Sequence, residues 1–569
     1  MPGKSYLILG GGSAGCVVAS RLSEVPDNRV TLVEAGRDLS IKDMGNEIRS
    51  RYPGRVYLRS ENIWPDIAAF YGPVKGAQEE RPTRLYEQAR LLGGGSAINA
   101  LVANRGAPGD YDDWEERGAS GWNWASVLPY FKKLESDRDI DGEYHGQVGP
   151  IPIRRISEDK MTPFTTSVCD AAVALGYEKH SDQNGFWQDG VFRGAIAKSD
   201  SGHRVPTSVA YLSEEVRGRR NLDILTGHRA VSITFAGTSA TGAIVSTSDN
   251  RSDVKSLTAD ETTVCCGAIN SPALLMRSGI GPEAELRSIG APIVADSPGV
   301  GQHLMEHPSI AISTYLPRSA RQHDLDEHHD HSILRFSSGA DSSPEGDMHI
   351  AMIARSAWHS IGQRLGTLFI WVNKPHSRGS ISLRSSDPSD APVVDLNLLS
   401  DSRDLERLKS GFRKAAEILL HPIVAKHTGT VFPAAYSKRV AQIAGGGMFN
   451  ATQRGIFSLM LDLAGPMRSW MIHSLVTRGL RLSALLENDG QLSEFVSNNV
   501  GGVWHPTCTC RMGAASDKYA VTDHRGMVRG VTALRICDAS IMPSIPRANT
   551  NIPTIMIAER ISDLIKKER

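Results

Sequence analysis

The sequence has no excess of charge of either sign. Its 569 residues contain 63 Lys and Arg and 63 Asp and Glu, so the formal net charge is zero. Binding to nucleic acid or to an anionic membrane is driven by an excess of Lys and Arg. The balance therefore gives no electrostatic basis for either interaction, and we expect no nucleic-acid partner.

Long apolar runs are also missing. No stretch approaches the roughly 20 apolar residues that a membrane-spanning helix needs. The N-terminus enters the first predicted strand within a few residues, which leaves no room for a signal peptide. We expect no transmembrane segment and a cytoplasmic location. The sequence does not indicate an oligomeric state.

Cysteine is scarce, and the seven cysteines are odd in number. Most lie in apolar runs, which predicts buried free thiols. Cys508 and Cys510 are too close for a zinc knuckle and have no second cysteine pair. The stretch 323–331 has four histidines and four acids, but nothing fixes a ligand geometry. We interpret it as a solvated loop and predict no metal site.

A glycine-rich turn near the N-terminus is the most informative feature present. A short apolar strand leads into Gly10-x-Gly12-x-x-Gly15, a helical pattern follows, and a second apolar strand ends at Glu34. Gly10 permits the tight turn, Gly12 allows a pyrophosphate close to the backbone, and Gly15 allows helix and strand to pack. The helix N-terminus favours phosphates, and Glu34 can accept hydrogen bonds from a ribose. This order predicts a dinucleotide site, to which we also assign Ser13, Ala14 and Ala35.

The rest of the chain alternates between predicted strands and helices. Turn residues between short apolar runs predict an antiparallel meander over 221–264. Pro272 marks a predicted helix start, and Gly279 marks its stop. Further predictions are packed helices within 108–135, strands within 310–400, a helix over 403–425 and a last helix from about Pro553 to Ile565.

Four blocks together resemble the glucose-methanol-choline (GMC) flavin oxidoreductase family. They are Gly10–Gly15 with Glu34, the segments LLGGGSAINALVANRG and GAINSPALLMRSGIGP, and the C-terminal region 538–565. The resemblance covers nearly the whole chain and implies FAD rather than a nicotinamide. It implies an α/β fold, α+β overall, with a discontinuous Rossmann-like FAD-binding domain and a substrate domain on an antiparallel sheet. The expected boundaries are 1–155, 203–309 and 500–569 for the FAD-binding domain, and 156–202 and 310–499 for the substrate-binding domain.

The resemblance also implies a catalytic pair. His505 and Asn549 match the family's two active-site positions, 44 residues apart. The asparagine makes the chain similar to the His/Asn subgroup, which includes choline-oxidising enzymes. Alcohol oxidation removes a hydroxyl proton and a hydride, and flavin N5 accepts the hydride. His505 is then the expected base, and Asn549 the group that hydrogen-bonds the substrate oxygen.

Residues at matching positions are the expected FAD contacts. By family position, the Leu91 segment follows the pyrophosphate and isoalloxazine, the Val231 backbone meets the adenine, and Asp538 meets the ribityl-pyrophosphate region. Trp504 is expected beside the flavin or narrowing the pocket, and the last helix begins near N1–O2 of the flavin. The full set is Leu91, Gly95, Asn99, Ala100, Leu101, Val102, Val231, Trp504, Asp538, Ala539, Ile552 and Pro553. Some members tether FAD to a histidine where this chain has Ile98, so we predict non-covalent FAD.

The expected reaction is FAD-dependent oxidation of a small alcohol, primary and aliphatic or aryl, to the aldehyde. Oxygen or a quinone-type compound is the expected electron acceptor. Alternatives on the same fold are a hydroxynitrile lyase-like or photodecarboxylase-like activity, and a further alternative is nucleotide binding without catalysis. The His505/Asn549 pair argues against the last. Bleaching of the flavin by an alcohol under anaerobic conditions separates an oxidoreductase from a lyase.

Overall fold

The computed structural model describes residues 3–42, 44–73, 81–247, 253–435, 445 and 447–568. A five-stranded parallel sheet brings the two ends of the chain together. Its central strand is buried on both faces, as parallel strands covered by helices are. In spatial order the strands are Leu222–Leu225, Arg29–Val33, Ser5–Leu9, Glu261–Val264 and Leu534–Ile536.

The predicted meander over 221–264 is partly wrong. Its first and last strands, Leu222–Leu225 and Glu261–Val264, join the parallel sheet. Both strands are only four residues long, LDIL and ETTV, and periodicity alone cannot assign so short a run to one sheet or another. The three strands between them do form an antiparallel sheet, namely His228–Ala236, Ser239–Thr247 and Val254–Thr258.

A seven-stranded, mainly antiparallel sheet forms the second layer. The strands predicted within 310–400 are confirmed in it. Its cross-strand pairs include His349 with Trp371 and Ala351 with Phe369. In spatial order the strands are Val431–Ala434, Ser309–Tyr315, Leu365–Val372, Met348–Ile353, Asp330–Phe336, Gly190–Arg193 and Lys179–His180. Short strands form smaller sheets at Ala68–Phe70, Thr83–Leu85, Ser380–Ser382 and Val393–Asp395, and at Glu135–Asp137, Ile151–Arg154 and Ile196–Ala197.

The longer helices are Ser13–Leu22, Pro108–Glu116, Trp124–Leu134, Pro163–Ala174, Gly267–Arg277, Ser402–Leu420, Met448–Leu463, Asp489–Asn499 and Asn551–Lys567. The predicted start at Pro272 is wrong, because the helix begins at Gly267 and contains the proline. A proline inside a helix leaves the carbonyl four residues earlier without a donor. The hydroxyl of Thr509 donates to that carbonyl, at Ala268, over 2.6 Å.

Two further helix boundaries differ from expectation at a proline. The last helix begins at Asn551, so Pro553 lies in its first turn, where no intrahelical donor is needed. The helix predicted over 403–425 ends at Leu420 and restarts at Pro422. The residue before a proline is driven out of the helical region, which accounts for this break.

The histidine-rich stretch 323–331 is not a solvated loop throughout. Residues from Glu327 to His331 are mainly buried, and the strand Asp330–Phe336 begins inside the stretch. His328 Nε2 lies 2.7 Å from the Ala100 carbonyl oxygen. Burial lowers the pKa of His328 to about 4, so the ring is neutral at pH 7. A neutral, hydrogen-bonded imidazole is compatible with a buried position.

A buried cluster of charges joins the 135–155 region to Asp182. His145 Nε2 lies 2.8 Å from Asp182 Oδ2, and its Nδ1 lies 3.2 Å from Asp137 Oδ2. Burial alone would lower the pKa of His145, but these hydrogen bonds raise it to about 10. Glu135, Asp137 and His145 are close enough to hold a metal ion. A protonated imidazole, however, has no lone pair to offer one.

Across the described ranges, no helix combines the length and the apolar character needed to cross a membrane. All seven cysteines are free thiols, six of them buried, as predicted.

Candidate active site

A cavity of about 600 Å³ extends between the glycine turn and the seven-stranded sheet. Most residues expected at the cofactor and the reaction line it. They are Gly10, Gly12, Ser13, Ala14, Glu34, Ala35, Gly95, Asn99, Ala100, Val102, Trp504, His505, Asp538, Ala539 and Asn549. Six expected contacts do not line it: Gly15, Leu91, Leu101, Val231, Ile552 and Pro553. Val231 lies at a β-bulge between Ala230 and Ser232, and both of its preceding neighbours line the cavity.

Three helices point their N-termini at this cavity. They are Ser13–Leu22, Gly267–Arg277 and Asn551–Lys567, and their first residues line or adjoin it. The Ser13 hydroxyl donates to Asn551 Oδ1 over 2.8 Å, which ties two of the N-termini together. Each N-terminus carries free N–H groups and a partial positive charge. The arrangement suits a ligand with several phosphate oxygens.

The glycines show where such a ligand fits. A Cβ added to Gly12 would approach no atom of the neighbouring structure closer than 3.9 Å, and one on Gly267 would meet none within 4 Å. Both residues face the cavity, so the missing side chains leave room for the ligand. A Cβ on Gly15 would lie 1.9 Å from the Gly10 carbonyl oxygen. Gly15 therefore serves the packing of helix against turn, as the sequence predicted.

Glu34 shapes the turn as well as facing the cavity. Its carboxylate accepts hydrogen bonds from Gly11 N at 2.8 Å and from Gly36 N at 2.7 Å. Burial raises the pKa of Glu34, and these two bonds act against that shift. Each oxygen has a further lone pair, which can accept from a ribose hydroxyl. The residues around the turn thus fit an FAD molecule.

Asp538 plays a similar part at the far end of the chain. Its carboxylate accepts from Gly267 N and Ser540 N, each at 2.8 Å, and from the Ser271 hydroxyl at 2.6 Å. These bonds fasten the start of the Gly267 helix to the C-terminal strand. Asp538 and Ala539 then form one wall of the cavity.

His505 and Asn549 lie side by side in the lining of the cavity. His505 Nε2 lies 3.2 Å from Asn549 Nδ2. The Asn549 backbone N–H donates to Asn104 Oδ1 over 2.8 Å, which fixes the asparagine. Its own Oδ1 is buried without a hydrogen-bond partner among the described residues. An orphaned acceptor beside a histidine leaves a polar position for a ligand hydroxyl.

Two residues behind the pair, Glu306 and His307, were missed by the sequence reasoning. His307 Nδ1 lies 2.9 Å from His505 Nδ1. The buried Glu306 carboxylate accepts from His505 N and His307 N at 2.8 Å, from Val503 N at 3.1 Å and from the Tyr86 hydroxyl. The two titratable residues between the apolar pair Leu304-Met305 and Pro308 were the available signal.

Burial sets the protonation of this group. It lowers the pKa of His505 well below its ordinary value, with a further contribution from the adjacent His307, whose own pKa falls to about 3. Burial raises the pKa of Glu306 to about 7, against the effect of its hydrogen bonds. His505 is therefore neutral at pH 7. With the Asn549 amide nitrogen facing Nε2, that nitrogen holds a lone pair and Nδ1 holds the proton.

Aromatic side chains also line the cavity, among them Tyr52, Phe369 and Trp371. Trp504 is 43% exposed and donates through Nε1 to Glu87 Oε2 over 2.9 Å, which places it at the mouth. Burial raises the pKa of Asp330, which also lines the cavity, to about 8. Its carboxyl is thus largely neutral at pH 7.

The GMC oxidoreductase family matches residues 4–309 with its N-terminal part and residues 375–558 with its C-terminal part. The chain belongs to this family. As a GMC oxidoreductase it is an FAD-dependent enzyme that acts on CH–OH donors, and the resemblance seen in the sequence is confirmed. So is the mixed α/β fold of this family.

Similar proteins span the full length of this GMC oxidoreductase. It is 39% identical to 5-(hydroxymethyl)furfural oxidase of Methylovorus sp. strain MP688 over 98% of both chains. It is 30% identical to oxygen-dependent choline dehydrogenase of Vibrio vulnificus strain YJ016, over 98% of this chain and 94% of the relative. Among solved structures, pyridoxine 4-oxidase from Mesorbium loti superposes with a TM-score of 0.80 at 25% identity, over 100% of both chains.

Proposed function

We propose that this enzyme oxidises a primary alcohol on an aromatic or heteroaromatic ring to the aldehyde, with His505 as the base. The observation that supports it most is the His505–Asn549 pair, 3.2 Å apart, beside the unpaired Asn549 Oδ1 in the cavity. A hydroxyl placed against both side chains can donate its proton to His505 Nε2 while its oxygen accepts a hydrogen bond from Asn549 Nδ2. That is the geometry that deprotonation of an alcohol requires.

In this proposal the protein's own groups handle the proton. His505 Nε2 accepts the hydroxyl proton, and its lowered pKa keeps that nitrogen proton-free at pH 7. The Asn549 amide hydrogen-bonds the substrate oxygen. Glu306 holds the His505 backbone N–H, and His307 Nδ1 accepts from His505 Nδ1, which keeps that nitrogen protonated. Bound FAD supplies the two-electron acceptor, held non-covalently by the turn around Gly12.

The cavity lining supports an aromatic substrate. Phe369 and Trp371 offer flat apolar surface to a ring. The raised pKa of Asp330 leaves its carboxyl largely neutral at pH 7, so it gives little attraction to a cationic substrate such as a quaternary ammonium alcohol. The similarity to 5-(hydroxymethyl)furfural oxidase agrees with a heteroaryl alcohol. Oxygen or a quinone-type compound remains the proposed electron acceptor.

Anaerobic flavin reduction tests the proposal. Benzyl alcohol, 5-(hydroxymethyl)furfural and choline are mixed in turn with the holoenzyme, and bleaching of the flavin is followed by stopped flow. The two ring alcohols should bleach the flavin faster than choline. His505→Ala should remain yellow and folded but react about 10²–10⁴-fold more slowly.

The control is His323→Ala, since that histidine is exposed and should react like the wild type. Unchanged reduction by His505→Ala would remove the assignment of the base. Failure of every alcohol to bleach the wild-type flavin would favour the lyase-like alternative. Re-oxidation by oxygen or by a quinone dye then identifies the acceptor.

Non-covalent attachment of FAD has its own support. Ile98, which stands at the tethering position, has no nucleophilic atom. The thiol of Cys266 lines the cavity, but burial raises its pKa far above neutrality, so it stays unreactive. Acid precipitation should leave the flavin in the supernatant. A yellow pellet would contradict the proposal.

A further inference from the structure

An apolar hairpin packs beside Tyr315, at the end of the strand Ser309–Tyr315 of the seven-stranded sheet. We define it as residues 447–476: the helix Met448–Leu463, the helix Met467–Met471 and the turn that follows. Ten of the 21 exposed large hydrophobic side chains in the described residues lie between Met448 and Val476. Soluble proteins rarely expose so much contiguous apolar surface unless it binds something.

The exposed face of the apolar hairpin carries no charged residue. Its single acid, Asp462, points inward and accepts from Arg321 at 2.5 Å, from Arg364 at 2.7 Å and from the Tyr315 hydroxyl at 2.9 Å. Arg468 lies over the Tyr315 ring at 4.0 Å. The charged side chains thus anchor the hairpin to the body, and the side chains left outside are uncharged and mostly apolar. They include Met448, Phe449, Leu463, Met467 and Trp470.

Positive charge borders this surface. Arg478 and Arg481 are exposed just beyond the apolar hairpin. Of the four arginines in residues 447–481, Arg454 and Arg468 pack against the body and Arg478 and Arg481 are exposed, and no acid is exposed in that range. The overall balance of charge therefore hides a local excess of exposed positive charge. An apolar face with Trp and Phe beside arginines is the composition of helices that lie in a lipid headgroup region.

We propose that the apolar hairpin docks on the surface of an anionic phospholipid bilayer. Phe449, Leu463 and Trp470 enter the boundary between headgroups and acyl chains, and Arg478 and Arg481 contact lipid phosphates. A second copy of the chain fits this surface less well. A self-complementary contact needs acids to meet these arginines; residues 447–481 expose none, and the first exposed acid beyond them in the sequence is Glu487.

The catalytic cavity lies next to this surface. Arg454 of the apolar hairpin stacks over the Trp358 ring at 4.9 Å, and Ser356, two residues before that tryptophan, lines the cavity. Docking therefore brings the cavity close to the lipid. The docking itself does not depend on which alcohol is oxidised.

Vesicle sedimentation tests the docking. The holoenzyme is mixed with vesicles of phosphatidylglycerol and phosphatidylcholine, or of phosphatidylcholine alone, and the bound fraction is measured. Binding should favour the anionic vesicles and weaken in about 0.5 M NaCl, where surface charges are screened. The variant Phe449→Ser/Leu463→Ser/Trp470→Ser should bind at least about tenfold more weakly, and so should Arg478→Glu/Arg481→Glu on anionic vesicles.

A matched control replaces three exposed hydrophobic residues elsewhere: Ile41→Ser/Val148→Ser/Phe186→Ser. It should bind like the wild type. Flavin content and activity on a water-soluble alcohol should be unchanged in the hairpin variant. If that variant does not fold, Trp470→Ser alone is used and should bind more weakly than the control.

Two results would overturn the docking proposal. One is the absence of wild-type binding to anionic vesicles, or an equal loss of binding in the control. The other is a wild-type dimer in light scattering that Trp470→Ser dissociates, without vesicle binding, which would make a second copy the occupant. Neither result bears on flavin reduction by alcohols, so the proposed function is judged separately.

Discussion

Replacing Glu306 by glutamine should remove a pH dependence of stability that the wild type has. The side chain is 2% exposed, and burial raises its pKa from 4.5 to about 7. A carboxyl whose pKa is higher in the folded state stabilises the fold below pH 4.5. That stability is lost as the pH rises through 7. Glutamine cannot ionise, so Glu306→Gln lacks this change.

The magnitude follows from the shift in pKa. Each tenfold change in proton affinity is worth about 1.4 kcal/mol, so the rise from 4.5 to about 7 amounts to about 3 kcal/mol. The free energy of unfolding of Glu306→Gln, relative to wild type, should therefore rise by about 3 kcal/mol between pH 4.5 and pH 8. Other groups titrate alike in both proteins and cancel in the difference.

The variant should also lose activity at every pH. One amide oxygen cannot accept all four donors that the carboxylate holds, and the N–H of His505 is one of them. Loss of this anchor displaces the imidazole, which should lower kcat by about tenfold to a hundredfold. KM should change little while kcat falls.

Urea unfolding at several pH values, with FAD in constant excess, measures the difference. Glu283→Gln serves as the control, since that glutamate is exposed on a surface helix and pairs with Arg287. The plot of its free energy of unfolding against pH should run parallel to that of the wild type. If the plot for Glu306→Gln is also parallel, the Glu306 carboxyl does not titrate near pH 7 and the reasoning fails.

Three other perturbations test separate parts of the structure. Gly12→Ala should fold, since its φ of −78° suits alanine, but its absorbance spectrum should show little bound FAD. Gly15→Ala should bind FAD like the wild type, and its free energy of unfolding should fall by about 1–3 kcal/mol. Equal FAD affinity in both variants would contradict the position assigned to FAD beside Gly12. His145→Gln should lower the free energy of unfolding, measured in urea at pH 7, by about 3 kcal/mol. The difference from the wild type should disappear as the pH rises through about 10, where the wild-type histidine loses its proton. A difference that does not change with pH would exclude a charged His145. Phe369→Ala should raise KM for benzyl alcohol about tenfold with little effect on ethanol, and an equal effect on both alcohols would remove the ring contact.

The sequence predicts the parts of this molecule that local chemistry determines. The turn at Gly10–Gly15 and the packing role of Gly15 follow from backbone sterics, which three glycines and their spacing express directly. The pair His505 and Asn549 came from resemblance, and the structure places the two side chains together. Glu306 could not be assigned, because three of its four donors come from positions 86, 503 and 505, which are distant from it in the sequence. The burial of His328 was missed for the same reason, since its partner is the Ala100 carbonyl.

The parallel sheet and the cavity require both ends of the chain. The strand Ser5–Leu9 is followed in the sheet by Glu261–Val264 and then by Leu534–Ile536, and Ser13 bonds to Asn551. During synthesis the glycine turn leaves the ribosome long before its partners exist. The cavity is complete only when residues from both regions are present, and the Glu261 strand has an unpaired edge until Leu534–Ile536 pairs with it. A truncation before Leu534 should therefore yield a colourless, aggregating protein rather than a weaker enzyme.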